Sequence, residues 1–337
     1  DSWANATDDL RGAIVGASNP TVQAGTRRIF VRDGKYTWSR LSAGSAYILN
    51  MSDNSLSDSL ILKGSCTGSG EQQDFSKPTV VRNDVETRIL MSVTANGKDV
   101  VFEGFTFANH SASETAKGME VSVQPSGSLT LKNCGFRQNP VGLNVEENSG
   151  PVLIYNTLFA DGGTGLAADE RTTVVNATFV QNTTDLTGTP KGIYNSVAWK
   201  NGTQNLTTDT EKKNVAIPGT VDNDNVLEGP NFVDPDNADM MSRDYRIRPN
   251  LLLLNKGNKK HYTDYALGLT AADAAIPADE KDLANNARLT GDEIDVGAYE
   301  YEATLKPIVY VKADLTGTAD GNSWTTALGD LQGAVDL

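Results

Sequence analysis

Short runs of alternating apolar and polar residues recur along the chain, each closed by a small polar side chain. Leu129 and Leu131 precede Asn133, Val152 and Ile154 precede Asn156, Val174 precedes Asn176, and Ile193 precedes Asn195. Three residues past each asparagine stand Phe136, Phe159 and Phe179, and finally Ala198 beside Trp199. Phe102, Gly104 and Phe107 form one more copy, with glycine in the asparagine's place. Alternation with period two marks strands, and valine, isoleucine and phenylalanine suit strands covered on one face. The copies lie 29, 23, 20 and 19 residues apart. A repeat near about 20 residues, built of short strands and turns, predicts an all-β solenoid, a right-handed parallel β-helix.

The same alternation predicts where the side chains point. Positions −4, −2 and 0 relative to each asparagine share a face, so the asparagines are expected to face inward. A buried amide needs hydrogen-bond partners, and stacked rungs supply them above and below. The phenylalanine at +3 then enters the core from the next face. Asn139, Asn182 and Asn201, at +6, mark the following turn. Further strands are read over Ser59–Gly64, Thr79–Val81, Arg88–Val93, Asp99–Phe107 and Val215–Ile217, and a weaker one over Asn225–Leu227.

A longer repeat overlies the short one. Ser2, Trp3, Ala6, Asp9, Leu10, Gly12 and Ala13 recur as Ser323, Trp324, Ala327, Asp330, Leu331, Gly333 and Ala334, at a constant offset of 321 residues. So many matches without a gap imply one whole unit and the opening of another. Leu10, Ala13, Ile14 and Ala17 follow helical spacing behind Thr7 or Asp8 as cap. Such a helix would cover the open end of the first rung. The resulting organisation is a helical cap over 1–20, rungs over 21–230, a capping segment over 231–303, and the start of a tandem unit over 304–337. The chain is thus expected to begin inside a longer protein.

Charge narrows the partners. The 337 residues carry a net charge of −14, which repels nucleic acid and anionic lipid. No run of about 18 apolar residues would span a bilayer, and Leu251–Leu254 is a short apolar run expected to enter a core. Cys66 and Cys134 fall on different rungs, too far apart for a disulfide. Cys134 is expected to pack as a small apolar side chain. Acidity with frequent Asn, Thr, Ser and Gly points to an extracellular setting, at the cell surface or secreted.

Many β-helices cleave acidic polysaccharides, and that chemistry has definite requirements. A lyase needs a base and a cationic group for the enolate, and a hydrolase needs two carboxylates about 5 to 9 Å apart. Candidates at the turns are Glu146, Glu147, Asp161, Asp169, Glu170 and Arg171. The motifs of polygalacturonases and pectate lyases (Asn-Thr-Asp with paired aspartates, Gly-His-Gly, Arg-Ile-Lys) do not occur. His110 and His261 have no partner at a metal-ligand or triad spacing. The reading is therefore no catalytic residue, no cofactor and no metal centre. Structural calcium is the one ion to consider, in the oxygen-rich loops Asp222–Asn225, Asp234–Asp239 and Asp314–Asn322. Trp38, Tyr47, Trp199, Tyr262 and Tyr265 are candidate sugar-stacking aromatics, while Trp3 and Trp324 are expected under the cap helices. Glycosylation sequons occur at Asn5, Asn50, Asn109, Asn176, Asn182, Asn201 and Asn205, but a buried Asn176 could not carry a glycan.

The far end carries a more specific pattern. Asn231-Phe232-Val233-Asp234-Pro235, Asp244-Tyr245-Arg246-Ile247, Leu254-Asn255-Lys256-Gly257, Asp282-Leu283 with Arg288, and Ile294-Asp295-Val296-Gly297-Ala298-Tyr299-Glu300 occur in order. Together they resemble the terminal segment of the choice-of-anchor Q family of bacterial surface and secreted proteins, common in Bacteroidota. The chain departs from that family at Leu251–Leu254, where a Ser-Pro turn is usual, and residues 258–277 have no counterpart. The resemblance implies an adhesin-like surface role and transfers no catalytic residues. On the residues alone, Val296, Ala298, Tyr299 and Tyr301 would close the last rung, and Arg288 would pair with Asp295. The expected function is a structural or adhesive, non-catalytic module. Its partners would be neighbouring copies arranged head to tail, other surface proteins, or glycans. A polysaccharide lyase or hydrolase, and a glycan-binding module, are the alternatives.

Overall fold

The structure is a computed structural model that describes residues 9–17, 25–40, 42–51, 57–67, 71–217, 229–249, 251–302 and 310–312. Its dominant feature is a coil of parallel strands laid on three faces. Gly25–Arg32, Ser57–Cys66, Asp99–Glu103 and Ser128–Lys132 lie on the first face. Gly34–Trp38, Thr79–Asn83, Phe105–Ala108 and Gly135–Arg137 lie on the second. Val152–Ala160 and Thr172–Val180 run across the corner and serve both faces. The third face is a separate six-stranded sheet, from Ser42–Met51 to Thr184–Gly188. Every pairing on these faces is parallel, so the chain is a parallel β-helix, as its repeat predicts.

In-register stacking explains the apolar repeat. Leu62, Phe102, Leu131, Ile154, Val174 and Ile193 are successive neighbours on the first face and all are buried. On the second face Phe107, Phe136, Phe159 and Phe179 form a column of stacked rings with centroids 5.4, 5.2 and 4.9 Å apart. Ala198 continues that column with a smaller side chain. Both cysteines are buried and unpaired, and Cys134 sits in the core as expected.

The N-terminal helix, Leu10–Ala17, turns Leu10 and Ile14 into the same core, and Arg11 donates to the Ala46 carbonyl at 3.1 Å. Asp9 caps it, accepting from the Gly12 N–H at 2.9 Å; Thr7 and Asp8 lie outside the described residues, as do Trp3, the Asn225–Leu227 stretch, and the second helix copy with Trp324. The chain divides into two compact units, Asp1–Glu300 and Tyr301–Leu337.

Two expectations about the interior need correcting. Asn133, Asn156, Asn176 and Asn195 do not face inward. Each has a left-handed backbone, with φ between 50° and 51°. That conformation breaks the alternation, and the next residue (Cys134 or Ala177) takes the core position instead. Asparagine tolerates left-handed φ better than most residues, and Gly104, at φ 77°, fills the same corner. One link of the expected amide ladder is kept at this corner, where Asn195 Nδ2 donates to Asn176 Oδ1 at 3.2 Å; further amide links between rungs lie at the second corner. There Asn83 Nδ2 donates to Asn109 Oδ1 at 2.8 Å, Asn139 Oδ1 accepts from the Asn109 N–H at 2.6 Å, and Asn182 Nδ2 donates to Asn201 Oδ1 at 3.1 Å.

The second correction concerns the C-terminal segment. It does not close the last rung but returns along the outside of the coil. Phe232–Asp234 pairs antiparallel with Asp244–Ile247, and Phe232 sits edge-on to Trp199 at 5.4 Å. Residues 253–300 then cover the asparagine corner. Of Leu251–Leu254, Leu253 alone is fully buried, and Leu251 is 65% exposed.

Candidate functional site

The left-handed corner residues point their amides out of the coil, and the returning segment supplies acceptors for them. Asn176 Nδ2 donates to the carbonyls of Asp295 and Gly297 at 2.8 and 3.0 Å. Asn195 Nδ2 donates to the Asn258 carbonyl at 3.1 Å, and Asn195 Oδ1 accepts the Asn258 N–H at 2.9 Å. Asn156 Nδ2 donates to the Tyr262 hydroxyl at 2.8 Å and the Lys281 carbonyl at 3.0 Å. Thr178 Oγ1 accepts the Ala298 N–H at 3.0 Å. One continuous stretch of chain thereby joins successive rungs from outside, as a clasp.

Apolar and charged contacts fill the space beneath it. Tyr155 and Val175 point outward from the coil and are buried against Tyr262, Ala266 and Ile294. Tyr262 donates to Glu280 at 2.8 Å, and Glu280 also pairs with Lys132 at 2.9 Å. Lys132 reaches Glu103 on the preceding rung at 3.3 Å. Arg288 pairs with Glu300 at 3.4 Å and donates to the Asp295 backbone carbonyl at 2.8 Å. The expected Arg288–Asp295 ion pair is thus replaced, because the Asp295 carboxylate is turned to the Asn255 N–H at 2.6 Å. Burial pushes the Asp282 carboxyl up to about 6, against four donated hydrogen bonds and the charge of Arg288. Burial likewise pushes Glu300 up to about 7 despite Arg288 beside it.

A second contact holds the hairpin of the segment. Asp161 is a left-handed residue at the other corner, with φ 59°. Its buried carboxylate pairs with Arg243, accepts from the Tyr245 hydroxyl at 2.8 Å, and lies 4.0 Å from Arg137. Burial raises the Asp161 carboxyl, and Tyr245 and Arg243 oppose that rise.

The other turn candidates are dispersed. Glu146, Glu147, Glu170 and Arg171 are exposed. Asp169 is buried and caps two backbone N–H groups, those of Asn148 and Arg171. His110 is an exposed turn residue, and its N–H is held by Asn83 at 2.8 Å. Asp239 accepts from Met241 and Ser242, Asp234 from Asn237, and Asp236 from Gln181 and Lys200. The Asp239 contacts form an Asx-type turn. Among the described residues no group of three or more His, Cys, Asp or Glu side chains could hold a metal ion. Residues 222–225 and 314–322 lie outside the described residues.

Three of the proposed stacking aromatics are buried structural residues: Tyr47, Trp199 and Tyr262. Trp38 is half-buried at the N-terminal end, and Tyr265 is 43% exposed, stacked on Tyr194 at 4.1 Å. Sequon residues Asn109, Asn176 and Asn182 are buried. No helix among the described residues is long and apolar enough to cross a membrane.

No protein-family model matches the chain, so its likeness to choice-of-anchor Q proteins rests on the motifs alone. No curated protein matches it either. A solved structure described as the crystal structure of pectate lyase Pel9A is similar at 15% identity, covering 82% of this chain and 88% of that one, with a TM-score of 0.30. That degree of likeness carries no statement about activity or site residues.

Proposed function

We propose that this chain is a non-catalytic structural module of an extracellular, tandemly repeated surface protein or fibre. The observation that supports the reading is the clasp. It binds consecutive rungs through Asn156, Asn176 and Asn195, so that peeling one rung disturbs its neighbours. Parallel ladders, a continuous core and an outer brace together resist bending and unstacking. A stiff rod of this kind holds whatever it carries away from the surface that anchors it. In such an array the sequence recurring at 322–337 begins the next unit. The order of motifs from Asn231 to Glu300 agrees with a choice-of-anchor Q role.

The turn carboxylates support the non-catalytic reading. Asp161 is sealed under Arg243, and Asp169 is spent on backbone N–H groups. Single-molecule pulling on the chain tests the mechanical role. The expected trace is one cooperative rupture of the unit; serial low-force release of single rungs would reject the proposal. A parallel digest of a uronate polymer, read by ultraviolet absorbance of unsaturated product, is expected to stay flat. Sustained product formation would establish a lyase instead.

A further inference from the structure

Beside the N-terminal helix lies an open groove of about 970 Å³. Its floor is aromatic. Tyr36 and Trp38 are half-buried against the main core, and Trp38 meets Tyr47 at 5.8 Å with their planes 60° apart. Its rim is cationic. Arg11, Arg32, Lys35 and Arg40 line it and are exposed, against the acids Asp9 and Asp33. The Arg11 guanidinium lies over the Trp38 ring, 5.3 Å from its centroid. A local excess of cations in a chain of net charge −14 is a feature that solubility does not require.

We propose that this groove binds a carboxylated polysaccharide of the uronate class. Guanidinium groups pair with carboxylates through two parallel hydrogen bonds, and a polyuronate repeats one carboxylate per sugar. The apolar C–H face of a pyranose ring needs a flat apolar surface, which half-buried Tyr36 provides with little entropy to lose, while Trp38 carries Arg11 on its face. Arg11, held over the indole and tied to the Ala46 carbonyl, is positioned before any ligand arrives. The groove lies at the end of the coil, away from the clasp, and binding there needs no catalytic step.

Titration calorimetry of the full chain with an oligogalacturonate tests it, with a neutral maltooligosaccharide of equal length as control. Binding is expected for the acidic oligomer only, weakened by added salt as exposed charges are screened. Arg32→Ala combined with Arg40→Ala is expected to lower affinity by about tenfold or more. Tyr36→Leu is expected to weaken it in low and high salt alike, because stacking is not screened. Circular dichroism on each variant separates lost binding from lost folding. The proposal is overturned if the wild-type chain gives no binding, or if the neutral oligomer binds equally well. It is also overturned if the arginine variant binds unchanged. It fails as well if sedimentation shows that copies of the chain occupy this end and the acidic oligomer does not displace them.

Discussion

Arg288 and Glu300 meet inside the clasp with neither side chain exposed, a nitrogen and an oxygen 3.4 Å apart. Asp282 joins them, accepting the Glu300 N–H at 2.7 Å. Both carboxyls are raised by burial, so the folded chain holds protons that an unfolded chain would release. Their stabilising contribution is complete below the unfolded values near about 4. It is lost as pH rises through about 6 for Asp282 and about 7 for Glu300. The melting temperature is therefore expected to fall between pH ~4 and ~7. Glu300→Gln should flatten the upper part of that slope. A melting temperature that climbs over this range, in scanning calorimetry, contradicts the assignment.

The corner asparagines separate backbone demand from side-chain bonding. Asn176→Gly keeps the left-handed backbone and loses three hydrogen bonds, those donated to Asp295 and Gly297 and the one accepted from Asn195. Asn176→Ala loses the same bonds and adds left-handed strain of about 1–2 kcal/mol. Alanine is expected to be the worse substitution by about that margin in urea denaturation. Equal losses would mean that the backbone conformation is not the constraint.

Phe159 is stacked between Phe136 and Phe179 at 5.2 and 4.9 Å. Truncation to alanine opens a void in the middle of the column, where neighbouring rungs cannot collapse independently. A loss of about 3–5 kcal/mol is expected, measured by denaturant midpoint at unchanged slope. A loss under about 1 kcal/mol would show that the column relaxes freely.

Arg243 compensates the buried carboxylate of Asp161. Removing it alone, as Arg243→Met, leaves that charge without its main partner and is expected to cost about 3–5 kcal/mol. Adding Asp161→Asn should recover a substantial part. A double-mutant cycle measures the coupling, and strict additivity would show that the pair contributes nothing beyond packing.

The chain's β-helix was legible because its cause is local. The phenylalanine column and the corner positions repeat at nearly constant spacing, and each rung depends on its nearest neighbours. The direction of Asn133, Asn156, Asn176 and Asn195 was not legible from alternation, because a positive φ switches the face on which a side chain emerges. Their partners were hidden for another reason. Asn176 bonds residues 119 and 121 positions later, and no periodic signal links such distant stretches. The burial of Tyr262 and Trp199 has the same origin, since both are covered by the returning segment or lie within it. The cationic groove has no periodic signature, because Arg11 and Arg40 are separated in sequence and line one groove only once the chain is folded. Its one local signal is the cluster of basic residues over 27–40, set against an acidic background.

The clasp also has a timetable. Lys132 waits 148 residues for Glu280, and Asn156 waits 106 for Tyr262. A ribosome making this chain delivers the stackable coils first and their lock last. In that interval the greasy strip of Tyr155 and Val175 lies bare to any passing strand. The closing stretch covers that strip only after it has itself been made, so the coils and their lock are separated in synthesis as they are in sequence.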